Sequence, residues 1–190
     1  MATLPIAKGL PTNYAASIGR VISRFAYAEW LISYITYKLL HIGPKHGRVA
    51  VRTPRVEDGL TMIEQLMSLD KITVSINTKT LKTALKHLEN ERDMLAHGVW
   101  MRHPGFRTLH IQVTKGNWKP DSLSPAVSRK IKPEGREIKI AYLKDLRKKL
   151  ETAISDLKQL SRQIDAVLKS SPQRSQKLQI LDKLFPGLLK

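Results

Sequence analysis

The sequence predicts an all-α protein, an up-and-down bundle of four to five helices with a small β-hairpin inserted between the third and fourth. Three observations lead there. Apolar residues recur every three or four positions along four stretches, the connections between the first three are short, and a Pro-rich stretch of alternating polarity interrupts the helical pattern after residue 100. A chain of 190 residues buries enough surface to fold without a disulfide or metal staple. Residues 1–190 therefore read as a single domain, with the insertion at 103–140 and a helical appendage at 173–190.

The first helix covers residues 14–41. Ile18, Val21, Ile22, Phe25, Ile32, Ile35, Thr36 and Leu39 share one face at about 100° per residue. Thr12 or Asn13 can cap its start, and Gly43-Pro44 is its expected stop. Trp30 and Tyr34 point away from the stripe, toward another helix or a second copy of the protein. Thr53-Pro54 supplies an N-cap with proline at the first helical position, and Leu60, Ile63, Leu66 and Met67 define a second helix over 54–69. A third helix starts at Asn77 or Thr78, carries Leu81, Leu85, Leu88, Leu95 and Val99 on one side, and stops near Gly98.

Residues 107–114 alternate as a half-buried strand does, Gly116-Asn117 signals a turn, and residues 137–140 can return as the partner strand. Pro120, Pro125 and Pro133 make the intervening stretch a loop. The fourth helix, residues 142–168, has the cleanest spacing: Leu143, Leu146, Leu150, Ile154, Leu157, Leu160, Ile164 and Leu168. A short amphipathic helix is expected at 176–185.

Composition excludes several classes of function. With no cysteine, thiolate zinc sites, iron–sulfur clusters and cysteine nucleophiles are ruled out. Phosphate-binding glycine loops, HExxH and G-x-S-x-G are missing, and the six histidines are dispersed, so no metal and no cofactor is expected. The N-terminal residues do not form a secretory signal, and no stretch reaches the ~18–20 apolar residues of a membrane span, so a cytoplasmic protein without a membrane partner is expected. The formal net charge of +17 favours a polyanionic partner. Residues 1–100 carry 13 basic and 8 acidic side chains and residues 101–190 carry 20 and 8, so the surplus lies mostly in the second half.

One stretch carries candidate chemistry, Glu91-Arg92-Asp93-Met94-Leu95-Ala96-His97-Gly98. On an ideal helix Arg92 falls on the apolar side, where a guanidinium needs a partner. Glu29 falls within the apolar stripe of the first helix, so the two charges can pair with each other or serve a site. Asp93 and His97 are four residues apart and share a face, which lets the carboxylate fix the imidazole tautomer. RNA is cut without metal when its own 2′-OH attacks the adjacent phosphate. That reaction needs a proton acceptor, a proton donor and a cation for the phosphorane, roles suited to His and Arg. One chain offers one of each, and a two-fold dimer offers two.

The Arg92-x4-His97 pattern, with a polar Asp93 after the arginine, resembles the signature of the HEPN superfamily. The resemblance extends loosely to the first helix, residues 19–31, where such domains also place a Glu among apolar residues. It implies a four-to-five-helix up-and-down bundle and a metal-independent endoribonuclease whose site forms at a homodimer interface. Family members of this kind occur in prokaryotic toxin–antitoxin and defence systems, which adds an antitoxin or other protein as a partner. Others have lost activity and serve as RNA- or protein-binding modules, which is the alternative here. The resemblance gives catalytic roles to Arg92, His97 and Asp93; Glu29 is a supporting residue by position alone, or simply half of a structural ion pair. The clusters Arg129, Lys130, Lys132 and Arg147, Lys148, Lys149 either grip the nucleic-acid backbone or are solvated faces. Trp118 is the aromatic nominated for base stacking. A DNA-binding regulator rests on charge alone, since no recognition helix is evident.

Overall fold

A computed structural model describes residues 10–50, 55–102, 109–113 and 134–170 of the chain. They are mostly helical. The helices are α1 (Thr12–Leu39), α2 (Pro44–Ala50), α3 (Val56–Leu69), α4 (Thr78–His97) and α5 (Ile140–Ser170), with strands β1 (Val99–Arg102), β2 (Leu109–Val113) and β3 (Glu134–Ile138) between α4 and α5.

Several helix ends have a local cause. The Pro11 carbonyl accepts the first bonds of α1, from Tyr14 N–H and Ala15 N–H. Its C-terminus is a Schellman closure: Ile42 N–H bonds the Tyr37 carbonyl, His41 N–H bonds the Lys38 carbonyl, and His41 sits at φ 57°. The stop therefore falls at His41, before the expected Gly43-Pro44, and Pro44 becomes the first residue of α2, where its missing N–H costs nothing. The C-terminus of α3 repeats the closure, with Ile72 N–H on Met67, Lys71 N–H on Ser68 and Lys71 at φ 54°. Glycine adopts that backbone without Cβ strain, so Lys71→Gly should stabilise the fold by about 1 kcal/mol, read as a higher denaturation midpoint. Asn77 caps α4, its Oδ1 accepting from Thr80 N–H at 3.0 Å.

After α4 the chain forms a three-stranded sheet in place of the expected two-stranded hairpin. Residues 99–102, counted in part with the helical stripe, leave α4 as a strand, and the three strands pair antiparallel in the order β1-β2-β3. Trp100 stands opposite Ile111, and Ile111 opposite Arg136. The expected strands at 107–114 and 137–140 fall partly on β2 and β3. The appendage at 173–190, the helix at 176–185, the loop turn at Gly116-Asn117 and Trp118 lie outside the described residues.

The chain divides into two compact units, one of residues 1–22 and 90–147, the other of residues 23–89 and 148–190. In the first, Tyr14, Ile18 and Val21 of α1, Leu95 of α4, and Ile138, Leu143 and Leu146 are buried. The Tyr14 hydroxyl donates to the Ile138 carbonyl at 3.1 Å.

In the second unit Phe25, Ile32, Ile35, Leu60, Ile63, Leu85 and Leu150 are fully buried. Polar ties surround that core. Lys38 Nζ bonds Asp165 at 2.7 Å and the Ser161 hydroxyl at 3.0 Å, and the Thr78 hydroxyl bonds Glu64 at 2.6 Å. Lys86 meets Glu57 at 2.6 Å, and its ammonium holds the Glu57 carboxyl below the usual carboxylate range. The second apolar face of α1 is a stack: Trp30 lies 5.6 Å from Tyr27 and 5.2 Å from Tyr34, with Lys38 over the Tyr34 ring and Lys158 over the Tyr27 ring. Trp30 stays 48% exposed.

Gly47 of α2 is buried where α2 approaches α1. A Cβ there would lie 2.5 Å from Tyr37 Cδ1 and 2.6 Å from Cγ. Gly47→Ala should therefore destabilise the protein by about 1–3 kcal/mol through overpacking, more than the about 1 kcal/mol that helix propensity returns. Urea denaturation of the variant checks this.

Candidate functional site

The residues singled out by the Arg-x4-His pattern sit on the last two turns of α4, in the first unit. The helix ends there because Gly98 N–H closes on the Met94 carbonyl at 2.9 Å and the Trp100 indole N–H reaches the Leu95 carbonyl at 3.4 Å. Two of the carbonyls that a helix C-terminus leaves open are thereby satisfied by the next residues of the chain. The Tyr142 hydroxyl bonds the Glu91 carboxylate and ties the same end of α4 to the first turns of α5. His97 thus occupies the final turn of a helix whose end is held from two sides.

His97 is exposed, and among the described residues it has no hydrogen-bond or ion-pair partner. Asp93 does not orient it. The Asp93 carboxylate instead takes the Arg92 guanidinium, Nη1 to Oδ1 at 2.8 Å. Arg92 is half-buried, with its side chain 23% exposed and its Nε buried, whereas the Asp93 side chain is 51% exposed.

Adjacent residues on a helix point about 100° apart and rarely pair. Here the long arginine stem lets the guanidinium reach the neighbouring carboxylate. The end of α4 thus carries an arginine paired with a carboxylate and, five residues on, an exposed imidazole. Such a pair can bind a phosphate oxygen and exchange a proton with a neighbouring one.

The remaining candidate residues are spread over both units. Glu29 is half-buried on α1 and belongs to the second unit. Arg147 is half-buried with its Nε buried, in the first unit. Lys148 and Lys149 are exposed on α5 in the second unit. Arg129, Lys130 and Lys132 lie outside the described residues. Among the described residues no three His, Asp or Glu side chains gather as a metal would require, and no helix is long and apolar enough to cross a membrane.

The tie between Glu91 and Tyr142 is not legible in the sequence, because nothing in the spacing of two separate helices reveals which residues meet. A cavity on the second unit is equally hidden, although Ala153, which interrupts the leucine series of α5, is a visible trace of it. Comparison with known proteins gives no significant match, neither to a family model, nor to a curated protein, nor to a solved structure.

Proposed function

We propose that the chain is a metal-independent endoribonuclease of HEPN type, acting in the cytoplasm as a homodimer with a composite site. The end of α4 supports the reading: it carries an exposed His97 and an Arg92 guanidinium paired with Asp93. Two such helix ends supply two imidazoles and two guanidiniums. One His97 accepts the proton of the RNA 2′-OH as that oxygen attacks phosphorus. The other protonates the departing 5′-oxygen. The products are a 2′,3′-cyclic phosphate and a 5′-hydroxyl. Arg92 neutralises the charge on the non-bridging phosphate oxygens. Lys148 and Lys149, with Arg147 and the cluster Arg129, Lys130 and Lys132, hold the RNA backbone, and Glu29 has a supporting role on α1. In a toxin–antitoxin or defence setting, a protein partner would cover the Arg92–His97 surface.

A non-catalytic HEPN-like RNA- or protein-binding module is the second reading. The burial of Arg92 Nε favours it, since a guanidinium engaged with its own helix also serves structure. Incubation of structured RNA with wild type and Arg92→Ala in EDTA separates the two. Cleavage by wild type that Arg92→Ala lacks is the expected result. Salt-sensitive binding by both proteins without cleavage is the result of the second reading.

The role of Asp93 is testable on its own. If it positions Arg92, then Asp93→Asn and Arg92→Ala are strongly non-additive, the double variant being no slower than Arg92→Ala alone. Asp93→Asn and His97→Ala should combine with little coupling. A double-mutant cycle on the cleavage rate measures both.

A further inference from the structure

A cavity of about 580 Å³ lies on the second unit between α4, α5 and the turn at residues 75–77. The two helices run antiparallel along it. Ser75, before α4, bonds Gln163 at 2.8 Å, while Leu88, near the far end of the cavity, shares its wall with Lys149.

Its origin is in the side-chain series. Leu81 and Leu88 form the floor from α4 and are almost fully buried, but Ala84 stands between them on the rim. On α5, Ala153 falls between Leu150 and Leu157. Alanine at 153 leaves open the space that leucine closes elsewhere along α5, and the small Ala84 keeps the rim on α4 low. The volume falls within the ~300–1,000 Å³ of small-molecule sites.

The two ends differ chemically. His87 and Lys149 stand at one end, and Asn77, Thr80 and Asp156 at the other. Lys149 and Asp156 are seven residues apart on α5, a rise of about 10.5 Å. The apolar floor between the polar ends is thus about two helical turns long, the length of a small molecule rather than of a docked helix.

We propose that this cavity binds an elongated amphipathic organic anion. Its anionic group meets Lys149 and His87, its apolar body lies across Ala84 and Ala153, and a hydrogen-bond donor meets Asp156. The site contains neither Arg92 nor His97 and does not rest on the ribonuclease reading, although that reading also assigns Lys149 to the RNA backbone.

The probe is anilinonaphthalene sulfonate, an apolar aromatic body with one anionic group, titrated by fluorescence into the full chain without RNA. Its neutral parent phenylnaphthylamine is titrated in parallel. Wild type should bind the sulfonate saturably at one site per chain. Ala84→Leu, on the exposed rim, should weaken both probes about tenfold, a loss of about 1.4 kcal/mol. Ala153→Leu should do the same from the buried wall, with circular dichroism confirming that each variant is folded. Lys149→Gln should weaken the sulfonate about tenfold and leave the neutral probe unchanged, as loss of a charge-assisted contact requires. No saturable binding, unchanged binding in a folded Ala84→Leu, or equal sensitivity of both probes to Lys149→Gln each overturns the proposal.

Discussion

His97→Ala should lower RNA cleavage by about 10²–10⁴-fold, the contribution of a positioned general acid or base. The effect falls on kcat, because the imidazole acts on protons that move only in the transition state. Stability should hardly change, since His97 is exposed and has no partner among the described residues. RNA binding should also persist, because the positive charge that grips phosphates lies elsewhere in the chain. A variant that melts as wild type does, binds RNA as wild type does and fails to cut it isolates chemistry from folding. Loss of binding in parallel with cleavage would instead assign His97 to substrate contact.

Phe25→Ala should cost about 3–5 kcal/mol of folding stability. Phe25 is fully buried on α1, in the same unit as Ile32, Ile35, Leu60 and Leu85. Deleting the ring removes its transfer free energy and leaves a cavity that helices packed through such large side chains close only in part. In a protein of this size each kcal/mol lowers the melting midpoint by roughly 2–4 °C, so the expected drop is about 6–20 °C. A drop of only a degree or two would mean that the second unit tolerates a hole at its core, contrary to the packing described.

The leucine spacings of α4 and α5 are readable because both helices bury a single face. The ends are less readable. The stop of α1 depends on His41 entering a left-handed backbone, which its side chain does not advertise as glycine would. β1 is hidden because Val99 continues the helical stripe of α4 past Gly98. The Arg92–Asp93 pair is concealed for a different reason. Spacing rules compare directions of Cα–Cβ bonds, whereas a guanidinium five bonds further out can swing to a neighbouring face. The sequence therefore points to the end of α4 but pairs Asp93 with His97, where the fold pairs it with Arg92. The cavity depends on the mutual register of Ala84 and Ala153, which belongs to tertiary structure.

The identity of the RNA ends after incubation with the purified protein in EDTA tests the central claim most directly. Wild type should yield fragments ending in 2′,3′-cyclic phosphate and beginning with 5′-hydroxyl, and His97→Ala should yield none above background. Fragments with 3′-hydroxyl and 5′-phosphate ends, or equal cleavage by His97→Ala, would contradict the account.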